Sequence, residues 1–145
     1  MTYISLNDLT VIEESDIELY KEAKTYLESF RWCVQTNKAW QDKHFWIPEK
    51  LGVFLFEIIP LNNEVDDFIW IIVGDLPSVY LDKSIKSGRE ALEIYCELME
   101  EWVDKVRNNE SVEECYPVLA KPLKENAELL KSRIEFIKKE VLMGE

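Results

Sequence analysis

The chain has a single histidine, four glycines, five prolines and three cysteines among its 145 residues, and its longest uninterrupted apolar run is Phe68–Val73. Each shortage removes a class of function. One histidine makes a three-histidine zinc site impossible and confines any Ser-His or Cys-His nucleophilic arrangement to His44, which lies in a polar connection. Four glycines leave no phosphate-cradling loop, no dinucleotide fingerprint and no nucleophile elbow. Cys33, Cys96 and Cys115 are odd in number, far apart and in no CxxC pair, which argues against a disulfide framework and a zinc ribbon; Cys96 reads as a core thiol. The apolar runs are too short to span a bilayer, and the N-terminus has no basic stretch followed by an apolar one, so a soluble, cytoplasmic protein is expected.

What remains is an ordinary complement of core-forming residues under an acidic surface. With 47% hydrophobic residues and little Gly or Pro, the length suits one compact globular domain over 1–145. The formal net charge is −12, and it is unevenly spread: acidic against basic residues run 7 to 2 over 1–30, 8 to 6 over 31–86, 9 to 3 over 87–120 and 5 to 6 over 121–145. A field of this sign disfavours nucleic acid and anionic membrane and speeds encounter with a basic protein. A plainer reading is that it keeps the protein in solution.

Periodicity gives the elements. From Ser15, Ile17, Tyr20, Ala23, Leu27 and Phe30 follow helical spacing, and Ser15 with Glu18 has capping-box form. Arg31–Thr36 reads as a strand, and residues 37–48 as a connection holding Trp40, His44 and Trp46. Leu51–Ile59 and Phe68–Val73 are β-branched and aromatic on both parities, predicting an antiparallel hairpin covered on both faces, with a shorter strand over Ser78–Asp82. Ser87 and Glu90 open a helix whose apolar stripe runs Ala91, Ile94/Tyr95, Leu98/Met99, Trp102, Val106; Asn108 and Asn109 end it. Pro122 reads as the first residue of a last helix running to Val141. The expected class is α+β, a short antiparallel sheet of three or four strands packed by three main helices.

Chemistry-bearing groups are few. Glu57 in an apolar strand and Asp75 at a strand exit form a candidate acid–base pair, with Tyr80 as a further partner, for a small hydrolase or isomerase. The structural alternatives are an Asx-type turn at Asp75 and a solvent-facing or Arg-paired Glu57. Glu64, Asp66 and Asp67 have a spacing like that of a calcium loop but lack its glycine and distal glutamate, so they read as a hairpin tip. No catalytic residue, metal or cofactor is assigned.

The acidic helix face is different because it is costly. Glu93, Glu97, Glu100, Glu101 and Asp104 lie opposite the apolar stripe, and the pairs 93/97, 97/101 and 100/104 are like-charge at (i, i+4), each destabilising an isolated helix by about 0.2–0.5 kcal/mol. Arg89/Glu93 and Glu101/Lys105 offset this in part, and Glu110, Glu113 and Glu114 extend the patch. Either lysines of the last helix lie alongside, or the face docks a cationic partner, with Trp40 and Trp46 as exposed aromatic anchors. Trp70 and Trp102 read as core.

The residues Trp70-x-x-x-Gly74-Asp75-Leu76-Pro77-x-x-Tyr80, followed by Arg89-Glu90-Ala91-Leu92, resemble a group of small bacterial domains sharing a W-x-x-x-G-D-L-P-x-x-Y core. The similarity covers about the middle third of the chain and implies no activity or catalytic residue. In size, class and acidity the chain also resembles immunity proteins of bacterial toxin systems, which implies a non-enzymatic inhibitor of a basic protein. An adaptor subunit is the other non-enzymatic alternative.

Overall fold

A computed structural model describes the backbone of residues 3–5, 14–118 and 120–143 and the side chains of 16–118 and 120–143. The element order is β1 (Tyr3–Ser5), α1 (Glu14–Glu28), β2 (Cys33–Asp42), β3 (Leu51–Pro60), β4 (Phe68–Gly74), β5 (Val79–Leu81), α2 (Gly88–Arg107), α3 (Lys124–Ile137) and a π-helical turn over Lys138–Leu142. This is the expected α+β class, with three helices and an antiparallel sheet. The sheet has the order β1-β2-β3-β4-β5, so a short N-terminal strand joins the four read from the sequence. Two compact units are distinguished, Met1–Leu92 and Glu93–Glu145.

In the first unit, β3 and β4 pair from Leu51↔Gly74 to Glu57↔Phe68 without a break, so side-chain parity is preserved across them. Phe54, Phe56, Ile58, Ile69, Ile71 and Val73 face one way and close a core with Leu19, Ala23 and Leu27 of α1. The opposite face is buried too at Leu51, Val53, Trp70, Ile72 and Val79. Apolar residues on both parities therefore give two faces with buried residues, the second only in part, since Leu55 and Phe68 are half-buried there and Ile59 is exposed.

The second strand departs from its sequence reading. It runs through Asp42, so Trp40 is a strand residue paired with Leu55, not part of a connection. The register shifts between Cys33 and Gln35 and again between Thr36 and Lys38. Each extra residue flips the parity of the positions after it, which erases the apolar–polar alternation from the sequence. Helix α1 begins at Glu14, placing Ser15 inside it; the expected Ser15 cap depends on a side chain outside the described residues.

Helix α2 starts as its sequence directs. Ser87 Oγ accepts the Glu90 N–H at 3.1 Å, and the Lys86 N–H donates to Glu90 Oε2 at 3.4 Å. At the other end Asn109 takes the left-handed conformation (φ 57°), the Glu110 N–H returns to the Lys105 carbonyl and the Asn109 N–H to that of Val106, a Schellman stop. Ser87→Ala should remove this side-chain cap and cost about 1 kcal/mol in urea unfolding; a change below about 0.3 kcal/mol would show that the cap contributes nothing.

The last helix begins at Lys124, two residues beyond Pro122, with Leu123 as an N-cap that supplies no side-chain bond. Leu123 is correspondingly exposed, while Ala127, Leu130, Ile134, Ile137 and Val141 are buried. The π turn widens the backbone spiral so that Val141 and Leu142 are buried side by side.

Candidate functional site

The outer face of α2 is the candidate. Its apolar stripe is buried at Tyr95, Cys96, Met99, Trp102, Val103 and Val106, which rotates Glu93, Glu97, Glu101 and Asp104 outward. Glu100 is half-buried, and Lys138 of the π turn reaches it with Nζ 2.6 Å from Oε1. Lys105 does not close on Glu101; its Nζ lies 3.2 Å from Glu110 Oε2, in the turn that follows the helix. In both pairs the carboxylate bond lifts the lysine pKa above its ordinary value. A third pair joins Arg107 to Glu128 of α3 at 3.2 Å.

Internal pairing accounts for part of the stripe. Glu100 and Glu110 are neutralised internally. Glu93 also has an interaction within the chain. Among the described residues, no cation lies within ion-pair distance of Glu97, Glu101 or Asp104. These three stand at i, i+4 and i+7 on one helix, and with Glu100, Lys105 and Glu110 they line a shallow depression of about 530 Å³. Glu113 and Glu114 are exposed in the following turn, where Ser111 Oγ accepts the Glu113 N–H at 3.2 Å. An open, shallow, acidic depression of this kind leaves its carboxylates solvated, and its sign suits the docking of cationic side chains.

The tryptophans fall differently from expectation. Trp46 is not an exposed anchor. Its ring packs against the α1 core and carries Lys43 Nζ 3.2 Å from the ring centroid, while the same ammonium lies 2.7 Å from Asp16 Oδ2. Trp40 is half-buried and stacks on Phe68 with ring centroids 6.5 Å apart. Trp70 donates its indole N–H to the Ile85 carbonyl at 3.0 Å, and Trp102 is buried, both as expected of core residues.

The buried polar group around Asp16 is not legible as a group in the sequence. Asp16, Gln41 and Asp42 are all buried, with Gln41 Nε2 donating to Asp16 Oδ1 at 3.2 Å and Asp42 Oδ1 accepting the His44 N–H at 3.0 Å. A signal existed: Asp16 stands three residues before Leu19 and seven before Ala23, on the buried stripe of α1. A carboxylate at such a position needs partners, and Lys43 and Gln41 supply them. His44 itself is exposed on the turn after β2.

The acid–base candidates are not assembled. Parity puts Tyr80, paired with Ile71, on the α1 face, where it contacts Phe30 and Trp32. Glu57, paired with Phe68, is on the opposite face and accepts the Asn37 side-chain amide at 2.7 Å. Asp75 is exposed just beyond β4, with its N–H donating to the Lys50 carbonyl at 2.9 Å. None of these three residues lines the α2 depression or a second one along α1, lined by Glu18, Lys21, Glu22, Thr25 and Tyr26. Asp66 and Asp67 receive Lys83, the first at its backbone N–H and the second at Nζ, as suits a hairpin tip.

All three cysteines are free and buried. Burial pushes the Cys96 thiol up to about 12, reinforced by Glu100, Glu93 and Glu97 and opposed by Lys138. Only the unfolded chain then loses this proton between pH 9 and 12, so stability falls as pH rises through that window, by up to about 1.4 kcal/mol per unit. Native protein should react with a thiol reagent at pH 8 only as fast as it unfolds; rapid labelling of Cys96 in the folded state would contradict this burial.

Among the described residues, no helix is long and apolar enough to cross a membrane and no group of three or more His, Cys, Asp or Glu side chains is placed to hold a metal ion. No family model, curated protein or solved structure matches the chain.

Proposed function

We propose that the chain is a non-enzymatic protein-binding module that docks a basic partner on the outer face of α2, in the manner of an immunity or antitoxin-like inhibitor. The observation that carries this reading is the row Glu97, Glu101 and Asp104, three carboxylates with no cation at ion-pair distance among the described residues, lining a depression whose other carboxylates, Glu100 and Glu110, are already neutralised. Holding like charges at (i, i+4) spacing costs the helix stability, and an incoming cationic surface would turn that repulsion into attraction. Trp46 takes no part, since its ring is occupied by Lys43, and the proposal rests on the α2 carboxylates alone. The inhibitor form of the proposal rests on the likeness of type to immunity proteins, and a cytoplasmic setting goes with it.

Attraction between exposed charges is screened over about 10 Å at 0.1 M salt. A partner captured from the cell of origin on immobilised native protein should therefore be basic and should elute as sodium chloride is raised from about 0.05 to 0.5 M. A captured partner that is acidic, or whose retention ignores salt, would overturn the proposal.

A further inference from the structure

We draw no further inference here: the strongest candidate, the half-exposed apolar patch that Trp40, Leu55, Phe68 and Ile59 form on the sheet face opposite α1, carries nothing because no observation in the structure shows what covers it.

Discussion

Reversing Glu97, Glu101 and Asp104 together to lysine should weaken partner binding by at least about 100-fold while leaving the fold about as stable as before. The binding loss follows from charge pairs across an interface, whose couplings begin near about 1.5 kcal/mol for close pairs and change sign on reversal. The stability side follows from helix geometry. The substitutions turn the like-charge pairs 93/97 and 100/104 into opposite-charge pairs, while 97/101 stays like-charge as two lysines and 101/105 becomes so, each change worth about 0.2–0.5 kcal/mol, so that they nearly cancel. All three side chains are exposed, so no core contact is lost. Calorimetric titration with the captured partner reads the first effect and thermal melting the second. Unchanged affinity in a folded variant would remove α2 from the interface. Glu100→Gln should change affinity much less, because Lys138 already neutralises that carboxylate.

Gly74→Ala should destabilise the protein by about 3 kcal/mol or more. Its φ of +146° lies where L side chains are strained, and an added Cβ would stand 2.0 Å from the Lys50 carbonyl oxygen, a backbone atom that cannot swing aside. The same residue pairs with Leu51 at the end of β3–β4, and its N–H serves the Glu22 carboxylate of α1. Relieving the clash therefore means parting two strands or releasing the helix. Urea unfolding measures the loss, and a cost under about 1 kcal/mol would show that the strand end yields easily. Asp75, next in the chain and exposed, is expected to tolerate Asn far better, since its N–H still reaches the Lys50 carbonyl.

Much of this architecture was open to sequence reading because local chemistry and burial agreed there. The β3–β4 hairpin is β-branched and aromatic along its length, and any register that buries one face buries the other. Helix α2 carries its own start in Ser87 and Glu90, its stop in Asn109, and a stripe between them at helical spacing. Its acidic face follows from that stripe, since side chains opposite a buried row must point outward.

The rest was decided only where distant segments meet. Two bulges in β2 hide its alternation, so Trp40 could be placed in a strand only through its pairing with Leu55. Trp46 reads as exposed in a polar stretch, yet Lys43 lies over its ring, held there by Asp16 from a distant part of the chain. The division of the acidic row into neutralised and open members is likewise tertiary: Lys138 reaches Glu100 from another element, and Lys105 turns to Glu110 instead of Glu101. Sequence determines which charges a helix face displays, because spacing fixes the face; it does not determine which of them remain unpaired, because an ion pair depends on a few ångströms between side chains that the chain path alone brings together.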